Sequence, residues 1–210
     1  MNRWFDNIPI IGKKYSGKIV LSFLMLVLAA ILAIVYRTSD RCVCFFAMLF
    51  AFEGDWVLNS GKTPEMQTNK IVVLGGSCFM LAHFWYACTY FLKIYFNKYP
   101  FVNGGTYILL MILLFVTVYF IFNMGKSKNL GMFWFGVLYL WLTSISYFMI
   151  FSYSASVKSI ESLAVVGGLM FLASDVIIGC EKFLGLRSKL ARELVWWLYP
   201  IGQTLIIIFA

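Results

Sequence analysis

Long runs of apolar residues separated by short polar stretches divide this chain. Seven such runs cover approximately residues 18–36, 42–60, 70–92, 105–123, 131–153, 160–180 and 193–210. Each approaches the roughly 20 helical residues that cross a hydrocarbon layer about 30 Å thick. The pattern predicts an all-α, polytopic membrane bundle of about seven transmembrane helices, forming one membrane domain over residues 1–210. Residues 1–17 carry Arg3, Lys13 and Lys14 beside Trp4 and Phe5, which suits a segment lying at the membrane surface. No secretory leader is expected, because no small-residue cleavage site follows the first apolar run.

The connections carry turn chemistry. Ser60-Gly61-Lys62-Thr63-Pro64 follows the second run, Lys98-Tyr99-Pro100 the third, and Gly125-Lys126-Ser127-Lys128 the fourth. Pro200 lies inside the last run, where loss of one backbone hydrogen bond predicts a kink near Tyr199.

Composition agrees with this division. The chain is 62% hydrophobic and 12% charged, far below the roughly 25% charged content of soluble domains. The net charge of +8 is spread over short connections, so it reads as a topology signal and not as a nucleic-acid footprint. Five cysteines, Cys42, Cys44, Cys78, Cys88 and Cys180, all lie in or beside apolar runs and read as small buried hydrophobes. Cys42 and Cys44 have no companion ligand cluster, so no metal is expected.

Lysine and arginine counts orient the bundle. Arg3, Lys13, Lys14, Lys18, Lys62, Lys70, Lys126, Lys128, Lys182, Arg187, Lys189 and Arg192 share one side, twelve of the seventeen basic residues. Arg37, Arg41, Lys93, Lys98 and Lys158 hold the other. The asymmetry predicts a cytoplasmic N-terminus and a C-terminus on the opposite side.

Two acids then draw attention. Asp55, in Phe50-Ala-Phe-Glu-Gly-Asp-Trp-Val-Leu58, and Asp175, in Phe171-Leu-Ala-Ser-Asp-Val-Ile-Ile178, both lie inside apolar runs. An uncompensated charge there costs roughly 2.5–3.5 kcal/mol on insertion scales. Each is five residues short of its predicted helix end, which places both about 7 Å inside the cytoplasmic boundary at 1.5 Å per residue. Equal depth predicts one shared site. Aligning the two acids also sets Lys62 over Lys182, an echo that admits a 3+1+3 parallel repeat of the kind some transporters use.

Other polar residues are weighed against plainer roles. Gly54 before Asp55 lets a helix or a headgroup approach, and Ser174 precedes Asp175. Glu53 projects away from Asp55 and reads as a pairing residue. His83, the one histidine, shares a helix face with Tyr86 and Tyr90. It is either a hydrogen-bonded core residue or part of the site, and its solitude rules out a three-histidine zinc centre. Tyr199 and Gln203 stand one turn apart on the last run, as site residues or as helix-to-helix glue. The stripe Tyr139, Thr143, Tyr147 reads first as packing. No Gly-x-Ser-x-Gly elbow, P-loop, dinucleotide fingerprint or zinc-protease motif occurs.

These pieces carry a resemblance. Gly54-Asp55, then Gly76 to Tyr86 with Ala82-His83, then Phe171 to Asp175, then Tyr199 to Gln203 stand in an order that resembles the YhhN family over about residues 42–210. Those are lysoplasmalogenase-like integral membrane proteins. The resemblance implies hydrolysis of the vinyl-ether bond of lysoplasmalogens, releasing a fatty aldehyde and a glycerophospho-headgroup. It makes Asp55 and Asp175 the catalytic candidates.

The chemistry suits such residues independently. Protonation of the β-carbon of a vinyl ether gives an oxocarbenium ion, which water attacks, and the hemiacetal collapses. An acid, a base and a negative field suffice, with neither metal nor cofactor. One aspartate must hold a proton while the other is ionised; which does which is open. His83, Tyr86, Tyr199, Gln203, Ser174 and Gly54 form the expected substrate-binding set, with Lys62 or Lys182 at the mouth to hold phosphate. The partners expected are a lysophospholipid substrate and membrane lipids, with no nucleic acid.

Two other function classes fit the composition. A transporter or lipid carrier would use the same aspartates as proton or substrate sites, with access from both faces. A non-catalytic receptor or assembly subunit would pair both acids with Lys or Arg and hold no polar cavity.

Overall fold

A computed structural model of the chain describes residues 8–10, 13–15, 17–60, 69–101, 118–119, 130–183 and 188–210. Six helices of 20 residues or more make up its body: α1 (Gly17–Tyr36), α2 (Ser39–Ser60), α3 (Asn69–Asn97), α4 (Leu130–Ser156), α5 (Ala164–Phe183) and α6 (Lys189–Phe209). Ahead of them β1 (Ile8–Ile10) and β2 (Lys13–Tyr15) pair antiparallel, Ile8 opposite Tyr15. The predicted surface segment thus contains a short hairpin.

Among the described residues, five helical stretches are long and apolar enough to cross a membrane: Gly17–Tyr36, Ser39–Asn59, Asn69–Asn97, Leu130–Ser156 and Ile160–Glu181. This is what an integral, multi-pass membrane protein requires. The last helix falls below that measure, because Lys189, Arg192 and Glu193 open it and Gln203 and Thr204 interrupt its body. The fourth predicted span, 105–123, lies outside the described residues except for Val118 and Tyr119. Residues 61–64 and 125–128, with Lys62, and the side chain of Lys182 also lie outside them. Seven spans and the 3+1+3 repeat therefore remain expectations of the sequence alone.

Helix ends follow local chemistry. Arg37 (φ 53°) and Lys98 (φ 56°) take left-handed conformations just past α1 and α3, the conformation that commonly closes a helix. A 3-10 turn, Ile160–Leu163, precedes α5, so that helix begins and ends later than the apolar run 160–180. Ser188 accepts from the Ala191 amide and starts α6 four residues before the predicted 193. The third span also runs past its predicted end at 92. There the Lys93 ammonium donates to the Phe209 carbonyl at 3.0 Å and sits 4.8 Å from the Tyr153 ring centroid.

Successive helices pack as neighbours, and α6 returns against α1 to close a ring. Close approach is bought by glycine at two seams. A Cβ on Gly54 of α2 would stand 2.7 Å from the Phe79 ring and 3.2 Å from the Gly75 carbonyl of α3. A Cβ on Gly202 of α6 would stand 2.8 Å from the Gly167 carbonyl of α5. The polarity of the bundle is inverted relative to a soluble protein. Phe23, Ile34, Phe96 and Trp141 face outward, while Asp55, His83, Tyr86, Tyr199 and Gln203 are buried.

Candidate active site

Asp55 lies on the buried face of α2, in register with Cys44, Ala47, Met48 and Ala51. Lys18 and Ser22 stand one turn apart on α1 and both reach it. Lys18 Nζ is 3.0 Å from Asp55 Oδ1, and the Ser22 hydroxyl donates to Oδ2. From α6 the Tyr199 hydroxyl donates to the same Oδ2 at 2.7 Å. Lys18 also stands 4.7 Å from the Tyr199 ring centroid, so one ammonium serves both partners. One cation and two hydroxyl donors thus converge on one buried carboxylate. The cost of burying that charge is offset by a matched cation and two hydroxyls.

Asp175 has a different set. His83 Nε2 is 3.0 Å from its Oδ2, and the Tyr147 hydroxyl donates to that oxygen at 3.1 Å. The imidazole stacks on Phe171 (4.9 Å between centroids, 22° between planes) and meets Tyr139 and Tyr147 edge-on. His83 is fully buried, and its Nδ1 has no hydrogen-bond partner among the described residues. No Lys or Arg pairs with Asp175 among the described residues.

A third polar contact crosses the bundle interior. The Tyr86 hydroxyl donates to Gln203 Oε1, and Tyr90 one turn on donates to the Ile206 carbonyl at 3.0 Å. The face His83–Tyr86–Tyr90 thus binds α5 through its first member and α6 through the others.

Beside these networks lies a cavity of about 90 Å³, within about 920 Å³ of non-atom space that includes its open side. Its lining comes from the starts of α1, α3 and α4, the ends of α2 and α5, and Tyr199. All but the last belong to one end of the bundle. Apolar walls from Leu58, Val72, Phe79, Leu140 and Leu172 meet a polar side made by Lys18, Tyr139, Thr143, Asp175 and Tyr199.

The two acids meet this cavity differently. Asp175 lines it directly, whereas Asp55 reaches it through Lys18 and Tyr199. Asp55 is five residues from the end of α2 and Asp175 eight from the end of α5. Of the expected binding set, His83 touches Asp175, Tyr199 touches Asp55, and Tyr86 and Gln203 touch one another. Ser174 donates to the Phe171 carbonyl within its own helix, and Gly54 serves the approach of α3. Glu53 is exposed.

Lys18, Ser22 and Tyr147 were not legible as site residues. Lys18 reads as one more topology charge, and a serine or tyrosine in an apolar helix reads as glue. A signal for Lys18 existed in retrospect: with Ser22 it makes an i, i+4 polar pair in an otherwise apolar run. Among the described residues no group of three or more His, Cys, Asp or Glu side chains is placed to hold a metal ion.

Comparison with protein families matches the chain to the YhhN family over residues 17–209. No curated protein and no solved structure matches the chain.

Proposed function

The chain belongs to the YhhN family, and on that footing we propose that it is a membrane hydrolase that cleaves the vinyl-ether bond of a lysoplasmalogen. The observation that carries this reading is Asp175, hydrogen-bonded to His83 and Tyr147, on the wall of an otherwise largely apolar cavity. A carboxylic acid there stands where the bond between hydrocarbon chain and glycerol would lie.

Asp175 protonates the β-carbon, and the π pair of the vinyl ether becomes the new C–H bond. The α-carbon and its oxygen share the resulting positive charge. The Asp175 carboxylate left behind faces that charge, while Asp55, paired with Lys18 and bonded to Ser22 and Tyr199, fixes the Lys18 and Tyr199 side of the cavity. Water then adds to the α-carbon and gives up a proton to the Asp175 carboxylate, with His83 Nε2 placed to share it. As the C–O bond of the hemiacetal breaks, its hydroxyl gives up a proton, the glycerol oxygen takes one, and the fatty aldehyde and the free glycerol hydroxyl result. Asp55 acts by positioning Tyr199 and Lys18. Lys18 lines the cavity with its side chain 34% exposed, so its ammonium can also face the lipid phosphate.

The orientation proposed places the cavity in the cytoplasmic half. The opposite end argues against a carrier. There Arg41 donates to the Ile207 and Ile208 carbonyls at 2.6 and 2.9 Å, and Lys93 to the Phe209 carbonyl, binding α2 and α3 to the last turn of α6.

The test is to incubate the purified protein with lysoplasmenyl and lysoacyl lipids and to measure aldehyde and fatty acid. Aldehyde from the first and no fatty acid from the second is the expected result. Uptake of lipid into vesicles without aldehyde would favour the carrier.

A further inference from the structure

We propose that Thr143 is a specificity-determining residue, whose hydroxyl pairs with the free glycerol hydroxyl of a single-chain phospholipid lying beside Asp175. The inference rests on reading the cavity as a lipid site.

Tyr139, Thr143 and Tyr147 follow one another at four-residue spacing on α4, so they share a face. Tyr147 carries that face to Asp175 through its 3.1 Å hydrogen bond. Thr143 lies four residues earlier, about 6 Å along the axis at about 1.5 Å per residue, and lines the cavity together with Asp175. Among the described residues its hydroxyl is one of four on this helix, with those of Ser146, Ser152 and Ser154, that are buried without a partner, and of these four only Thr143 lines the cavity. Ser77, Thr89 and Ser144 turn theirs back onto the carbonyls of Val73, Trp85 and Leu140, at 2.8, 3.0 and 2.7 Å. The Thr143 hydroxyl makes no such bond and has no partner among the described residues, although the residue is only 2% exposed.

A buried hydroxyl without a partner destabilises the fold, and a ligand that supplies one recovers that loss on binding. The remaining walls say which ligand. Leu58, Val72, Phe79 and Leu172 suit one hydrocarbon chain, and the Lys18 ammonium suits a phosphate. Between chain and phosphate a lysophospholipid carries one free hydroxyl, which a two-chain lipid replaces with an ester. A site built to hydrogen-bond a hydroxyl rejects analogues lacking it far more strongly than an apolar pocket rejects a missing methylene.

Two saturated-ether, single-chain phospholipids test this, one with the free glycerol hydroxyl and one deoxy at that carbon. Neither contains a vinyl ether, so binding to the full-length purified protein is read without turnover. The wild type is expected to bind the hydroxyl-bearing lipid about tenfold more tightly. Thr143→Val should lose most of that preference, and Thr143→Ser should keep it. Equal binding of both lipids by the wild type overturns the proposal, with water then the partner of Thr143. A preference retained in Thr143→Val overturns it as well. Failure of both lipids to bind overturns it together with the lipid reading of the cavity. Absent aldehyde release with the preference intact counts against the hydrolase alone.

Discussion

His83 Nε2 stands 3.0 Å from Asp175 Oδ2, joining residues 92 positions apart in the chain, and Phe171 supports the imidazole from beneath. The pair couples α3 to α5 at the cavity wall, with the histidine buried and the acid in contact with the open space. Loss of either member should act on proton transfer. Asp175→Asn is expected to lower aldehyde release by about 10²–10⁴-fold, with His83→Gln showing a smaller fall. Steady-state turnover of lysoplasmenyl lipid by folded variants checks this, and wild-type rates in Asp175→Asn would remove the residue from the mechanism.

The Lys18–Asp55 pair makes a prediction about stability. Lys18→Met leaves Asp55, 2% exposed, with its two hydroxyl donors but no cation. Stranding a fully buried charge costs about 3–5 kcal/mol; partial exposure of Lys18 lowers the expected cost to about 1–3 kcal/mol. Adding Asp55→Asn should restore much of the loss. Thermal unfolding of the two single variants and the double variant measures the coupling, and additive losses would show that the pair contributes nothing as a pair.

Glycine replacements at the two seams should differ in severity. In Gly54→Ala the new methyl meets chiefly the Phe79 ring, which can swing at the expense of the cavity it lines. In Gly202→Ala it meets the Gly167 carbonyl and the Phe171 amide, both backbone and both at 2.8 Å. Overpacking costs typically 1–3 kcal/mol. Gly202→Ala is expected to lower Tm more, while Gly54→Ala should weaken lipid binding more than it lowers Tm.

At the far end, Arg41→Met removes both guanidinium donors from the Ile207 and Ile208 carbonyls. Loss of partners for buried acceptors costs about 1–3 kcal/mol each, less where water reaches them. A lower Tm and faster amide exchange in the last turn of α6 are expected. Turnover at a temperature where the variant is folded should be unchanged, since no cavity-lining residue is touched. A large fall in turnover would mean that the two ends are coupled.

Much of this protein was legible in its linear pattern. Apolar runs mark helices because a span must be apolar along its whole length, a property of consecutive residues. Asp55, Asp175, His83, Tyr199 and Gln203 stood out for the same reason, as polar groups whose burial demands partners. The identity of those partners was decided only in three dimensions. Lys18 reads as a boundary charge until α6 closes against α1 and brings Tyr199 and Asp55 to it. Thr143 and Tyr147 read as packing until the rotation of α4 turns them toward Asp175. Hydropathy says that a helix crosses the membrane, but not which of its faces meets which neighbour. In a bundle whose exterior is as apolar as its seams, that choice rests on small residues, side-chain shape and matched polar groups far apart in the chain.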